Sequence, residues 1–366
     1  MGLTFAKLFA DCLAFSTGGG GHASQPGPLN SLPRGCSVYR TRVAVAVLGF
    51  LLLPRAFAQR LDPITEWATN TSYKSSIHSN IIYQKAGGLN LQLDAITSGN
   101  SPAPRPVVIW FHGGGWVTGG KEGALLSGLP YLARDMDFVD VDYRLASQAV
   151  APAAVADGRC ALHWVVRHAK EYGFDTTKIV VAGESAGGHL ALMTGMLSPA
   201  AGFDNACEVP PDDWQLDGPK DIKVAAIVNF FGPIDLPEFL QPARTSLGPA
   251  VLPMPRNFVL RWLGDLPSAE QLDLAKRLSP LTYVGKDSPP IITVHGEKDP
   301  YVPHEQAVRL HQVLDRDGVE NQLVTVQGGG HGFSPPFAWT PEQNLTVHEA
   351  VFRFLEKVGV LAHAAN

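Results

Sequence analysis

The sequence predicts an α/β fold with a mostly parallel sheet and helices on both faces. Two observations predict it: short apolar runs typical of buried strands recur along the chain, and segments of helical periodicity separate them. The 366 residues are 45% hydrophobic and 17% charged, which is an ordinary globular composition. A net charge of −5 offers no basic surface for nucleic acid, and no repeat of fixed period indicates a propeller or solenoid.

The elements begin with an antiparallel hairpin formed by residues 81–83 and 89–94. Later strands are continuous apolar runs, as expected of strands buried on both faces, over residues 107–111, 138–141, 178–181, 224–231, 291–294 and 322–326. Helical periodicity covers residues 151–172, 189–193, 268–278 and 347–358. Pro152 suits the first turn of its helix, and Gly173 suits the end.

Two segments do not fit this alternation. Residues 200–222 carry several acidic residues and prolines, which predicts a solvated loop. Residues 236–288 are longer than one crossover helix requires and are rich in proline. We interpret them as an insertion over the carboxyl edge of the sheet, where it would serve as a lid or as one side of a binding cleft.

Residues 1–58 are predicted to be a leader that is removed. Arginines precede an uncharged apolar run over residues 43–53 that is too short to span a bilayer. Residues 56–58 then read Ala-Phe-Ala, which is the small-x-small pattern of a signal-peptidase site and makes Gln59 the mature start. A buried core helix is the alternative. We expect a secreted or periplasmic protein whose residues 59–366 form one domain. Because residues 1–38 are unusual for a signal peptide, a translation start near residue 38 is a further hypothesis.

Only Cys160 and Cys207 remain after the leader. In an oxidising compartment such a pair is expected to form a disulfide, which would tie the helix before residue 178 to the loop over residues 200–222. The alternative is two buried free thiols.

The pattern G-x-S-x-G stands at residues 183–187, between a predicted strand and a predicted helix. A serine on so sharp a turn needs neighbours without side chains, which Gly183 and Gly187 provide. The turn presents the Ser185 hydroxyl as a nucleophile, and the amide of Ala186 points at an oxygen that gains negative charge.

A serine nucleophile needs a base, and the base needs an acid that orients it. Asp299 and His331 each follow a buried strand and come after Ser185 in the chain. The order Ser, Asp, His is that of an α/β-hydrolase, and all three residues would lie at the edge of the sheet where ligands bind. Glu297 is an alternative acid in the same loop, and Asp299 alone would also suit a turn before Pro300.

A glycine-rich stretch, residues 112–116, follows the first buried strand. We expect Gly114 and Gly115 to join Ala186 as donors of an oxyanion hole, and Gly113 to serve the turn. Aromatic side chains that follow the strands of the site, Trp116, Phe231 and Tyr301, are candidate walls of a substrate pocket, although each also suits the core. The sequence contains neither a phosphate-binding glycine pattern nor the zinc-binding patterns sought, so no cofactor and no metal are expected.

Residues 112–116, 142–146, 183–188 and 328–333 resemble the HGGG-bearing carboxylesterases of the α/β-hydrolase superfamily, the group related to hormone-sensitive lipase. Within that group they look most like secreted bacterial esterases of the feruloyl/acetylxylan type. The resemblance runs from about residue 80 to 358 and implies an α/β-hydrolase fold, ester hydrolysis through an acyl-serine, and small-molecule or polysaccharide-linked esters as substrates. It also implies that residues 142–144 brace the oxyanion loop.

Two other functions stay open at this point. A serine peptidase of the prolyl-oligopeptidase type shares the order of the triad, although the length leaves no room for its usual propeller. A hydrolase fold without catalysis would serve as a binding module. The sequence predicts no nucleic-acid partner and no stable membrane span, and it does not indicate an oligomeric state.

Overall fold

A computed structural model describes residues 62–98, 103–207, 222–241, 254–332 and 338–362. The predicted leader over residues 1–58 and the predicted mature start at Gln59 lie outside these ranges. So do residues 208–221 of the predicted loop and residues 242–253 of the predicted insertion.

Eight strands form one sheet in the order β1-β2-β4-β3-β5-β6-β7-β8. The strands are β1 Ser75–Ala86, β2 Leu89–Ser98, β3 Arg105–Phe111, β4 Asp137–Val141, β5 Phe174–Glu184, β6 Ala226–Phe230, β7 Ile291–Gly296 and β8 Asn321–Val326. The two pairs that involve β2 are antiparallel, and all others are parallel. The predicted α/β-hydrolase fold with a mostly parallel sheet is confirmed.

Ten helices accompany the strands in the described ranges. They are α1 Pro63–Lys74, α2 Leu125–Leu132, α3 Ala153–Arg167, α4 Ala169–Tyr172, α5 Ala186–Met196, α6 Pro237–Leu240, α7 Met254–Leu263, α8 Ser268–Arg277, α9 His304–Arg316 and α10 Pro341–Lys357. None of them combines the length and the apolar composition that a membrane crossing demands.

The central strands β3, β4, β6 and β7 are almost entirely buried and mainly apolar, because helices cover both faces of the sheet there. Alternate residues of β3 enter different layers: Ile109 belongs to the core cluster that includes residues of α3, α5 and α9, whereas Trp110 belongs to the cluster that includes residues of α2 and α10. Since each parallel strand ends at the same edge, the segments that follow β3, β5, β6, β7 and β8 all meet there.

One predicted helix is divided in the structure. The helix expected over residues 151–172 ends at Arg167, and α4 begins after His168. The His168 ring stacks on Trp164 and is hydrogen bonded to its carbonyl oxygen at 2.9 Å, so the side chain ties the chain to the preceding turn. Gly173 ends α4 in the left-handed conformation, as its position predicts.

The predicted disulfide between Cys160 and Cys207 is present and ties α3 to the segment after α5. The segment predicted as a solvated loop holds two 3₁₀ turns, Pro199–Ala201 and Phe203–Ala206, and buries Phe203. The described part of the predicted insertion is mainly helical and comprises α6, α7, α8 and the turn Pro280–Tyr283.

Candidate active site

Ser185 lies on the turn between β5 and α5 with φ 53° and ψ −120°, a conformation that is strained for any residue except glycine. Its amide donates a hydrogen bond to the carbonyl oxygen of Phe230 at 2.9 Å, which fixes the turn to the end of β6. A Cβ at position 187 would overlap the carbonyl oxygen of Phe111, so the turn requires glycine there.

The structure brings Ser185, His331 and Asp299 together, although they come from the ends of three different strands. His331 Nε2 lies 2.9 Å from Ser185 Oγ, and His331 Nδ1 lies 2.7 Å from Asp299 Oδ2. An ionised carboxylate only accepts hydrogen bonds, so Nδ1 carries the proton and Nε2 is free to accept one from the serine.

The side chain of Asp299 is completely buried, and backbone amides of its own loop hold it. Its Oδ1 accepts hydrogen bonds from the amides of Tyr301 and Val302 at 2.8 and 3.0 Å. Burial acts to raise the pKa of Asp299, but hydrogen bonds from His295 and His331 outweigh burial and hold that pKa well below its usual range. The carboxylate is therefore ionised wherever His331 can act as a base.

The alternative acid, Glu297, is turned elsewhere. Its Oε2 accepts a hydrogen bond from the amide of Gly328 at 2.8 Å. The carboxylate that meets His331 is that of Asp299.

The glycine-rich loop after β3 lies beside Ser185. Gly114, Gly115 and Trp116 have φ angles of 114°, 60° and 59°, so the left-handed conformations of the turn fall on these three residues and not on Gly113. Within the described residues, no hydrogen-bond acceptor faces the amides of Gly114, Gly115 or Ala186. All three residues line the cavity in front of Ser185, which is where an oxyanion would form.

Residues 142–144 brace this loop in several ways. The Tyr143 hydroxyl donates to the carbonyl oxygen of His112 at 2.9 Å, and the two rings stack with centroids 4.3 Å apart. Arg144 forms an ion pair with Asp157, whose side chain is 1% exposed, so the segment is also fixed to α3. The bracing that the resemblance implies is therefore visible in these contacts.

A cavity of about 260 Å³ opens in front of Ser185. The three aromatic residues predicted as walls, Trp116, Phe231 and Tyr301, all line it. The rings of Phe231 and Tyr301 meet the His331 ring at centroid distances of 4.7 and 4.9 Å. Trp116 and Phe231 are also buried, so they belong to the core and to the pocket at once, whereas Tyr301 is only half-buried.

Sequence reasoning missed several residues of the pocket. Phe239 of α6, together with Phe258 and Val259 of α7, supplies further apolar surface from the insertion. The spacing of Phe258, Val259 and Trp262 is a helical signal, but it follows a proline-rich stretch that obscures it.

Glu184 was also missed. It lines the cavity directly before Ser185. Burial raises its pKa, while the nearby His331 and a hydrogen bond from the Gly113 amide act in the opposite direction. Within the described ranges, no group of three or more His, Cys, Asp or Glu side chains is arranged to hold a metal ion.

Fold and site together define an HGGG-type α/β-hydrolase. Comparison with known families narrows this class, because the BD-FAE profile matches residues 93–314, which is more than half of the chain. The chain belongs to the BD-FAE family. A profile named TAP-like protein matches residues 269–360.

Two of the named relatives are esterases of Mycobacterium tuberculosis. The chain is 31% identical over 227 residues to "Probable carboxylic ester hydrolase LipM" and 30% identical over 236 residues to "Esterase LipC". These alignments cover 61% and 63% of this chain but 48% and 53% of the relatives, so the chain spans about half the length of the curated relatives it matches.

Solved structures of similar fold are also esterases. The butyrate-bound esterase Est2 of Thermogutta terrifontis is 25% identical with a TM-score of 0.61, and the match covers 80% of this chain and 97% of Est2. A truncated carbohydrate esterase from gut microbiota is 25% identical with a TM-score of 0.60, over 76% of this chain and 96% of that one. Est2 is also known in a form phosphonylated by sarin.

Proposed function

We propose that the protein hydrolyses carboxylic esters with short acyl or aryl groups, including feruloyl-type esters, through an acyl-serine intermediate. The observation that carries the proposal is the hydrogen-bonded series Ser185, His331 and Asp299, which opens on an apolar cavity. Three backbone amides beside the serine, which have no hydrogen-bond partner among the described residues, add the means to stabilise an oxyanion.

In the first step Ser185 Oγ attacks the ester carbonyl carbon while His331 Nε2 takes the hydroxyl proton. The carbonyl π electrons move to the oxygen, and the amides of Gly114, Gly115 and Ala186 bind the resulting oxyanion. Each such donor contributes about 2.7–4 kcal/mol of transition-state stabilisation. Asp299 holds the Nδ1 proton of His331 and stabilises the imidazolium.

In the second step the oxyanion collapses and the bond to the alkoxide breaks. The Nε2 proton of His331 passes to the leaving alcohol, and the acyl group remains on Ser185. Water then attacks the acyl-serine with His331 again as the base, and the carboxylic acid leaves as the serine regains its proton.

The cavity favours short acyl or aryl groups. Its volume of about 260 Å³ lies below the range of about 300–1,000 Å³ typical of pockets for drug-sized ligands. Phe231, Phe258 and Tyr301 give it aromatic walls. The Est2 structure with bound butyrate and the carbohydrate esterase, both of similar fold, support small esters and sugar-linked esters as candidates.

We further propose that the protein is exported, to the periplasm or the medium, after removal of residues 1–58. The apolar run with its Ala-Phe-Ala site supports this, and the disulfide suits an oxidising compartment. Expression of the full chain followed by sequencing of the N-terminus of the exported product tests the proposal. A product that begins at Gln59 supports it, and an unprocessed chain kept in the cytoplasm contradicts it.

Ester hydrolysis is tested by assaying the wild type, Ser185→Ala and the control Ser72→Ala on p-nitrophenyl acetate, p-nitrophenyl butyrate and methyl ferulate. Ser72 is exposed and remote in sequence from the site. Its replacement removes the same hydroxyl group as Ser185→Ala does, so it is a matched control. We expect turnover by the wild type and Ser72→Ala, and none above background by Ser185→Ala. The preferred ester then distinguishes an acetyl-sized pocket from an aryl-lined one.

A fluorophosphonate probe separates the remaining functions. Labelling of the wild type but not of Ser185→Ala is expected of the proposed esterase. A folded wild type that takes no label and turns over no ester would indicate a binding module, and cleavage of aminoacyl-arylamides in place of esters would indicate a peptidase.

A further inference from the structure

A second histidine, His295, contacts Asp299 in addition to His331. His295 lies near the end of β7, and its side chain is completely buried. Its Nε2 lies 2.9 Å from the carbonyl oxygen of Val302 and 3.3 Å from Oδ2 of Asp299. Oδ2 is the same carboxylate oxygen that accepts the hydrogen bond from His331.

The groups around the His295 ring indicate which of its two nitrogens donates a hydrogen bond. Both groups near Nε2 are acceptors, so Nε2 carries the proton and donates. Nδ1 is buried and has no hydrogen-bond partner within the described residues. The ring therefore donates through Nε2, which faces the carboxylate.

We propose that His295 is a positioning residue for the reaction, which shares its Nε2 proton between Val302 and Asp299 and so fixes the carboxylate that orients His331. This inference rests on the proposed ester hydrolysis. Four groups with N–H donors surround Asp299: His331 and the amides of Tyr301 and Val302 are hydrogen bonded to it, and Nε2 of His295 approaches its Oδ2 to 3.3 Å. Of these four, only His295 belongs to a strand of the sheet.

Because it belongs to a strand, His295 can anchor Asp299 to the sheet. His331, Tyr301 and Val302 all lie in segments that follow strands, and such segments are generally more mobile than a central strand. A donor from β7 ties Asp299 to the rigid part of the fold. Because His295 also binds the Val302 carbonyl, it fixes the loop whose amides hold Oδ1.

The test compares His295→Leu with His295→Gln. Leucine removes the donor, whereas the side-chain amide of glutamine places an N–H close to the position of imidazole Nε2. The control is His311→Leu, because His311 is also buried but is hydrogen bonded to Asn321, outside the site. Thermal unfolding of each variant shows what each loses in stability.

For His295→Leu we expect kcat on p-nitrophenyl butyrate to fall by about 10- to 100-fold, as for other small displacements of catalytic groups, with KM within about twofold. The acid limb of the profile of kcat/KM against pH should also move to higher pH. Without the donor the charge of Asp299 is less neutralised, so it stabilises the protonated form of His331 more strongly. His295→Gln should restore most of both properties, and His311→Leu should change neither.

Other charged or titratable groups near this pair stay in place in every variant. Glu184 acts on His331. On the far side the His304 ring lies 5.6 Å from the His295 ring, and Glu297 and Glu305 act on His304. If the acid limb of the pH profile shifts in His295→Leu but not in His295→Gln, the cause is therefore the loss of the N–H donor to Asp299.

Three results would overturn the inference: wild-type kcat in His295→Leu, a loss in His295→Gln as large as in His295→Leu, or an equal loss of kcat in His311→Leu. If His295→Leu does not fold, His295→Asn replaces it, since its amide is too short to reach Asp299. A wild type that neither hydrolyses esters nor takes the fluorophosphonate label would overturn the proposed function itself. An active wild type with unchanged variants overturns only the role of His295.

Discussion

The indole of Trp116 stacks on that of Trp262, with ring centroids 4.5 Å apart and planes within 10° of parallel. Trp116 ends the oxyanion loop, and Trp262 belongs to α7 of the insertion. Both rings also contact the ring of His189 edge-on. His189 lies in α5, one turn after Ser185. The described helix α7 is thus packed on the catalytic elements and forms a wall of the site.

Replacement of Trp262 should therefore affect both stability and catalysis. Trp262→Ala leaves a cavity beneath Trp116, which we expect to lower the free energy of unfolding by about 3–5 kcal/mol. The oxyanion loop loses its support, so kcat should fall as well. Trp262→Phe keeps an aromatic partner and should lose less of both. Urea unfolding and ester kinetics measure the two effects; a loss of stability with unchanged kcat would show that the loop holds its position without α7.

Gly115 should not tolerate a side chain. A Cβ there would lie 2.7 Å from the Phe258 ring, and φ is +60°, so Gly115→Ala must displace an oxyanion donor. Loss of one donor typically costs about 2.7–4 kcal/mol, so kcat should fall by roughly 10²–10³-fold. Gly123→Ala is the control, because a Cβ at that position meets nothing within 4 Å. Equal kcat values in both variants would show that the Gly115 amide is not a donor of the proposed oxyanion hole.

His189 should make the fold sensitive to acid. Burial lowers its pKa to about 4, whereas an unfolded histidine has a pKa near 6.5. Between these values the unfolded chain binds more protons, so the free energy of unfolding falls as the pH drops, by about 3 kcal/mol in full. His189→Gln does not titrate and should flatten this dependence. Urea unfolding at pH 7, 6 and 5 tests it, and parallel curves for the two proteins would contradict it.

The disulfide should support stability without taking part in catalysis. Cys160 and Cys207 are 47 residues apart, and chain entropy predicts a contribution of about 4 kcal/mol for a loop of that length. Neither residue lines the cavity. The variant with both Cys160→Ser and Cys207→Ser should unfold at lower urea but keep kcat at 25 °C. A large loss of kcat in a folded double variant would point to a link between α3 and the site.

The sequence was sufficient to predict the parts of the site that directly follow strands. Ser185, Asp299 and His331 each stand just after a continuous apolar run, and parallel topology brings such positions to one edge. The pocket wall from α7 was not predicted, because proline-rich residues before it interrupt the pattern. Nor did helical periodicity reveal the break at His168, which depends on a contact of one side chain with its own preceding turn.

The sequence also did not predict which way individual side chains at the ends of strands are oriented. His295 belongs to an apolar run and follows its last β-branched residue, so nothing in the pattern distinguishes a core histidine from one that contacts Asp299. Glu184 has the same ambiguity, because its position before Ser185 does not say whether its carboxylate faces the solvent or the pocket. The contacts of His295 and of Glu184 both depend on which residues the fold places next to their side chains.

Ser185 and His331 are 146 residues apart in the chain, and β8 is the last strand to be synthesised. A nascent chain that has left the ribosome only as far as α9 contains the nucleophile, the acid and the oxyanion loop but lacks the base. In the proposed mechanism such an intermediate has no means of activating its serine, so hydrolysis would begin only when the carboxyl-terminal segment joins the sheet. The onset of that activity during refolding would then report the docking of β8.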